Sequence, residues 1–294
     1  MKFGHAEQDE LKNVDFSLSD DRPETTQLLA KLPKEMKQKL FVGCGKWGIK
    51  EWIGDIYPEG TKEKDFLVSY KDIFDSIELN NTFYRLSRSA IESWAETVKG
   101  SSFEFCPKWS RRVSHMKRLN DAEENTQYFI NSCLLFGDSL GCTFLQLPEN
   151  FATKNFERIE PFLKLLPKGF PVQIELRHAE WFEENMFTEI GQLFEKYNVG
   201  WVITDTALRR DAVHQRLTND TAFIRFNGYS LHDSDYKRMD AWIEKIGEWF
   251  DQGLSKCYFF CHQKDEKNSP ATCRYFIERA NEELNMQLKV PPSY

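Results

Sequence analysis

The chain has 294 residues, 40% of them hydrophobic and 14% aromatic, which is enough apolar side chain for a large packed core and too much for a disordered polymer. Its 46 acidic residues outnumber 39 Lys and Arg, leaving a formal net charge of −7, so a broad coat on nucleic acid or on an anionic membrane is not expected. Seven cysteines, odd in number and without a Cys-x-x-Cys pair, suit reduced thiols in the cytoplasm, and neither a secretory leader pattern nor a bilayer-spanning apolar stretch is read.

Residues 1–38 read as an acidic and polar N-terminal extension. Its first 24 residues hold seven acids, from Glu7 to Glu24, against Lys2, Lys12 and Arg22, and show little periodicity, which predicts a mobile or surface-draped arm. Leu28, Leu29, Leu32 and Met36 then fall at helical spacing, with Pro33 limiting where that helix begins. Residues 39–294 read as one domain of eight β-rich runs: 40–43, 76–80, 103–107, 142–147, 172–177, 199–204, 222–227 and 257–262. Amphipathic segments at 61–74, 87–98, 120–136, 156–166, 183–197, 233–250 and 269–284 separate or follow them. Strands that alternate with helices over about 250 residues predict an α/β fold, a single (β/α)8 TIM-barrel-like domain. The rival, a doubly wound open sheet, lacks its Gly-x-Gly-x-x-Gly turn; the segment from Gly43 to Gly48 comes nearest, but Trp47 spoils it.

Parity along the strands assigns faces. In 172–177 the apolar set Val172, Ile174 and Leu176 suits the helix side, which turns Gln173, Glu175 and Arg177 inward. The same reading turns Ser76, Glu78 and Asn80 inward from the second run, and Phe223, Arg225 and Asn227 from the seventh. Lys108, Gln146, Asp205 and His262 or Gln263 add polar groups near the C-terminal ends, where the active sites of such barrels lie. Glu78 and Glu175 are the candidate general acid and base; Asn80, Tyr84, Lys108, Gln146, Arg177, Asp205, Arg225 and His262 are the candidate substrate-binding groups. Each also has a structural reading, since Glu175 with Arg177, or Glu78 with Arg225, would serve as buried ion pairs. Glu175→Gln separates the two: lost ligand binding with little change in melting marks a site, whereas collapse marks an ion pair.

Other features carry less. Cys44 has no histidine near it in sequence and reads as a buried thiol. Cys257 and Cys261 share one strand face but stand too far apart for a single zinc, so no metal ligand is assigned. His115 lies in a basic loop that either reaches the mouth or is solvated. Trp47, Trp52, Tyr57, Trp109 and Trp181, in loops after the strands, read mainly as caps on the barrel.

Several segments together are recognisable: Gly43-Cys44-Gly45-Lys46-Trp47, Tyr57-Pro58-Glu59-Gly60, Glu78-Leu79-Asn80-Asn81-Thr82-Phe83-Tyr84, Phe105-Cys106-Pro107-Lys108, Leu145-Gln146-Leu147-Pro148, Glu175-Leu176-Arg177-His178 with Trp181, Asp205, and Ile224-Arg225-Phe226. From about Phe41 to Phe276 the chain resembles the domain-of-unknown-function family seventy-two, and the resemblance implies a TIM-barrel-like fold with no established reaction, cofactor or substrate. Where family members often carry Tyr-x-x-Phe-Asn-Asn at the eighth strand, this chain has Tyr258-Phe259-Phe260-Cys261-His262-Gln263, which leaves any role of those asparagines to His262 and Gln263. Three function classes stay open. One is an enzyme acting on a small polar or anionic substrate, with Lys108, Arg177 and Arg225 holding the anion. Another is a metal-dependent phosphoesterase or isomerase using Glu78, Glu175, Asp205 and His178 or His262, which leaves a divalent cofactor open. The third is a non-catalytic binder of a phosphorylated ligand or a nucleic-acid end.

Overall fold

Runs with period-two polarity become parallel strands, and the segments with period 3.6 become the helices that cover them. In the computed structural model, which describes residues 3–34 and 36–293, the strands are β1 (Lys39–Cys44), β2 (Ser76–Leu79), β3 (Glu104–Pro107), β4 (Thr143–Gln146), β5 (Val172–Glu175), β6 (Gly200–Trp201), β7 (Ile203–Asp205), β8 (Thr221–Gly228) and β9 (Lys256–Gln263). The helices are α1 (Pro23–Leu29), α2 (Phe66–Ile73), α3 (Asn81–Tyr84), α4 (Arg88–Val98), α5 (Glu123–Cys133), α6 (Ile159–Leu163), α7 (Glu184–Lys196), α8 (Asp233–Gln252) and α9 (Ser269–Glu283). Met1, Lys2, Glu35 and Tyr294 lie outside the described residues, and with them Lys2 of the acidic extension and the last residue of the expected domain.

Among the described residues every strand pairing is parallel, in three hydrogen-bonded sheets ordered β1-β9-β8-β7, β2-β3 and β4-β5-β6. Isolated bridges from Phe105 to Leu140 and from Lys108 to Phe144 join the β3 side to the β4 side. The expected single strand 199–204 is instead two short ones, because the chain changes partners at Val202: β6 bonds to β5, and β7 bonds to β8.

The two faces of the strands bury different things. Ile77, Leu79, Ile224, Phe226, Cys257 and Phe259 join an outer apolar layer with side chains of α2, α8 and α9, including Phe276, whose ring stacks on Phe259 at 3.8 Å. On the other face Phe41, Cys106, Phe144, Phe223, Tyr258 and Phe260 meet in one inner cluster, which gives the polar residues above it an apolar floor. Helix ends follow local chemistry: Ser87 accepts a bond from the Ala90 N–H at the start of α4, and Gly253, at φ 116°, ends α8. No helix among the described residues is long and apolar enough to cross a membrane.

The described part of the extension packs on this frame. Phe3, Ala6, Leu11 and Leu29 are buried, Trp249 donates its indole N–H to Asp21 at 3.0 Å, and Thr25 donates its hydroxyl to the Gln215 carbonyl at 2.8 Å. Gly43 on β1 marks a close approach of strand backbones, since a Cβ there would overlap the Ser76 carbonyl on β2. Gly43→Ala is therefore expected to destabilise the fold by about 2–3 kcal/mol by forcing backbone apart, whereas Gly48→Ala, in open space, changes it little; urea denaturation of both reads the difference.

Candidate functional site

Arg225 is the centre of the inner face, because Ile224 and Phe226 on either side of it are held in the outer layer and leave it no other direction. Its Nε and Nη2 donate to Glu78 on β2 at 2.7 and 2.8 Å, and its Nη1 donates to Glu175 on β5 at 2.9 Å. Glu78 also accepts from Asn80 Nδ2 at 2.9 Å and from His262 Nε2 at 3.0 Å, which requires the proton of that ring on Nε2. Glu175 also accepts from Arg177 Nε at 2.6 Å and from Gln146 Nε2 at 2.8 Å, and Gln146 Oε1 in turn accepts from Lys108 Nζ at 3.1 Å. One chain of charge-assisted bonds thus links β2, β4, β5, β8, β9 and the end of β3.

The electrostatics of the cluster follow from three cations, Lys108, Arg177 and Arg225, gathered around two carboxylates of which only the arginines take a share. Burial opposes ionisation of Glu175, but the charges of Arg177 and Arg225 more than offset it and hold the carboxyl at about 2. Glu78 is likewise buried, and Arg225 and His262 hold it well below the usual carboxylate range. Lys108 is the residue left over. It is 5% exposed, no carboxylate oxygen of the described residues lies within 4.0 Å of its Nζ, and the rings of Phe83 and Phe144 stand 4.8 and 5.6 Å away. Burial, reinforced by the Arg225 charge, pushes its ammonium down to about 8.

Loops close over this end. After β3 the chain winds one wide turn in which Lys117 N donates to Arg112 O, five residues back, at 2.9 Å, and then takes positive φ at Arg118, Leu119 and Asp121. Such irregular backbone persists only when its surroundings hold it, and here Arg118 fastens the loop to Asn150 with bonds of 2.6 and 2.9 Å. The turn carries His115, whose Nδ1 meets Ser114 Oγ at 2.9 Å and whose ring packs edge-on against Phe83. Burial and the charges of Lys108 and Arg177 lower this imidazole to about 4. From the other side comes the N-terminal segment: Phe3 lies 4.6 Å from the Arg177 guanidinium and 4.8 Å from that of Arg209. Gly4, at φ 60°, leaves no room for a side chain against Thr206, whose hydroxyl donates to the Gly4 carbonyl at 2.7 Å.

Eight of the ten residues expected at the site therefore come together: Glu78, Asn80, Lys108, Gln146, Glu175, Arg177, Arg225 and His262. Two do not. Tyr84 is 72% exposed and lines a surface groove of about 250 Å³ with Arg85, Arg112 and Tyr128; the helical turn α3 rotates its neighbour Phe83 over Lys108 instead. Asp205 sits on the helix side of β7, because Thr204 is the residue in register with Arg225; its carboxylate accepts from Arg210 at 2.6 Å and from the Trp242 indole at 2.8 Å and lies 3.1 Å from Arg238. Phe3 and Phe83 pack against cations of the cluster, which the sequence did not reveal, and His115 is half-buried beside Phe83.

The remaining candidates lie elsewhere. Cys44, Cys257 and Cys261 are buried free thiols, and His262 points to the opposite face of β9 from Cys257 and Cys261. His178 caps the short turn Ala179–Phe182. No group of three or more His, Cys, Asp or Glu residues arranged to hold a metal ion occurs among the described residues. Trp52, Tyr57, Trp109 and Trp181 are buried.

The model of a family described as "Protein of unknown function DUF72" matches residues 41–293. The UPF0759 protein YecE of Escherichia coli strain K12 is 25% identical over 253 residues, which covers 79% of this chain and 89% of that protein; its counterpart in E. coli O157:H7 matches to the same extent. A crystal structure of a DUF72 family protein from Enterococcus faecalis V583 superposes with a TM-score of 0.65 at 16% identity, over 84% of this chain and 96% of that one. A second, from Thermotoga maritima MSB8, gives 0.64 at 22% identity, over 85% and 100%. At these identities the likeness to the solved structures speaks to the fold alone.

Proposed function

We propose, for a chain that belongs to the DUF72 family and takes no described reaction from it, that the inward cluster is the binding site of a small anion, a carboxylate or a phosphate ester. The observation that carries this reading is Lys108: a buried cation without a carboxylate partner among the described residues, in a cluster where Lys108, Arg177 and Arg225 exceed Glu78 and Glu175 by one charge. An anion of one charge would complete it. Among the described residues Arg177 commits only its Nε, to Glu175, and its terminal nitrogens are donors of the bidentate kind that carboxylates and phosphates accept. Glu78 and Glu175 act in this reading as the frame, because all four of their oxygens already accept bonds.

The same reading closes the three sheets into one (β/α)8-type barrel, supported by the shared inner cluster, the bridges beside β3 and the bonds of Arg225 across from β8 to β2 and β5. Residues 39–294 are its domain and residues 1–38 its extension, of which the segment at Phe3 and Gly4 covers the mouth, in a cytoplasmic protein with reduced thiols. The metal-dependent alternative finds less support, because Arg225 bridges the two carboxylates that would serve as ligands and Asp205 stands on the other face.

Calorimetric titration with inorganic phosphate and with acetate tests the proposal. Wild-type protein is expected to bind one of them, and Lys108→Met to bind it at least about tenfold more weakly, ~1.4 kcal/mol. Affinity should fall as pH rises through about 8, where Lys108 loses its charge while Arg177, Arg225, Glu78 and Glu175 keep theirs. Wild-type protein that binds neither anion overturns the reading.

A further inference from the structure

We propose that Lys108 is a nucleophile that forms an imine with a small carbonyl compound bearing a carboxylate or phosphate group. The inference rests on the anion site above and adds a reaction to it.

A lysine becomes a nucleophile when its surroundings disfavour the ammonium form, either by desolvation or by a neighbouring cation, and the geometry here supplies both. Nζ is enclosed between the Phe83 and Phe144 rings, and the Arg225 guanidinium lies over the same Phe144 ring at 5.4 Å. A lysine serving only as a structural cation is expected to face a carboxylate at bonding distance, as Arg225 faces Glu78 and Glu175 and as Lys256 faces Glu104. Lys108 instead donates to the neutral oxygen of Gln146, which fixes the direction of Nζ without stabilising its charge as a carboxylate would. The Gln146 orientation is itself fixed, because its amide nitrogen is committed to Glu175. Lys108 is therefore held in place, partly deprotonated near neutral pH, and next to the cations that would seat an anionic group.

The step balances without a further reagent. The ammonium loses one proton to solvent, and the nitrogen lone pair then forms a bond to the carbonyl carbon while the C=O π pair moves to oxygen. Both remaining nitrogen protons pass to that oxygen, which leaves as water, and a C=N bond remains. Solvent carries those protons, and the His115 imidazole, uncharged and packed edge-on against Phe83, borders the same ring as Lys108.

The test uses wild-type protein, so no variant need fold. The protein is incubated separately with glyoxylate, with glyceraldehyde 3-phosphate and with the neutral propionaldehyde; sodium cyanoborohydride is added and the reduced adducts are mapped by mass spectrometry. The expected result is labelling of Lys108 by one of the anionic carbonyls at least about fivefold above exposed lysines such as Lys31 and Lys64, suppressed by inorganic phosphate. The glyoxylate and glyceraldehyde 3-phosphate arms distinguish carboxylate from phosphate recognition. Equal labelling by propionaldehyde overturns the assigned substrate class. Labelling of Lys108 no greater than that of surface lysines, in protein that binds phosphate or acetate, overturns the nucleophile and leaves the anion site standing. Absence of both the adduct and anion binding overturns both.

Discussion

Replacement of Arg225 by Met is expected to destabilise the protein by about 3–5 kcal/mol at pH 7, measured by urea denaturation, making it the most damaging single change in the inner cluster. Among the described residues Arg225 alone bonds to both carboxylates, and without it two buried anions lose their shared cation. The loss is not total. Glu78 keeps His262 and Asn80, and Glu175 keeps Arg177 and Gln146, which is why the expected cost is that of one broken buried network rather than of two bare charges. The triple variant Arg225→Met, Glu78→Gln, Glu175→Gln gives the argument its sharper form. Removing the carboxylates together with their cation removes the desolvation cost as well, so the triple variant should recover at least about half of the loss. If it is less stable than Arg225→Met alone, the cluster is held by more than the mutual satisfaction of these charges, and the account of Glu78 and Glu175 as a frame fails.

Parity made most of this cluster legible in the sequence. Strands β2, β5 and β8 alternate strictly, so one buried face forces the other inward: Val172 and Ile174 send Glu175 in, Ile77 and Leu79 send Glu78 in, Ile224 and Phe226 send Arg225 in. The same rule went silent where alternation stops. Residues 199–204 carry no charged side chain to mark a face, so the side on which Asp205 emerges depends on the register of β7 against β8, which only the fold supplies. At Tyr84 the obstacle is a change of period. A strand would have placed residues 80, 82 and 84 on one face, but the chain turns helical at Asn81, and a rotation of about 100° per residue brings Phe83 over Lys108 and leaves Tyr84 outside. Phe3 left no signal of any kind, because an isolated aromatic in an aperiodic acidic arm acquires its meaning from the Arg177 and Arg209 side chains it covers.

Acid should unfold the protein in two stages whose order follows from the sign of each shift. His214 is buried, with Nε2 on the Val202 carbonyl at 3.3 Å and Nδ1 accepting from the Arg216 N–H at 3.4 Å, and burial lowers it to about 3. His115 is lowered to about 4. Both fold as neutral rings, so the unfolded chain binds their protons first, and stability begins to fall as pH drops below about 6.5. The carboxylates act lower. Glu175 folds at about 2 against an ordinary value near 4.5, so its contribution is complete above about pH 4.5 and is lost as pH falls towards 2. A shift of that size corresponds to stability on the order of 3 kcal/mol at pH 7, and Glu78 shifts in the same direction. Glu175→Gln keeps the shape and removes the charge, so it is expected to lower stability at pH 7 by about that amount and to flatten the pH dependence between about 4.5 and 2 while leaving the upper stage in place. Unfolding free energies from urea curves at pH 7, 5.5 and 3.5 separate the stages. A Glu175→Gln protein as stable as wild type at pH 7 and parallel to it below pH 4.5 would mean that Glu175 does not hold the cluster together, and would return it to the role of an acid or base at the mouth.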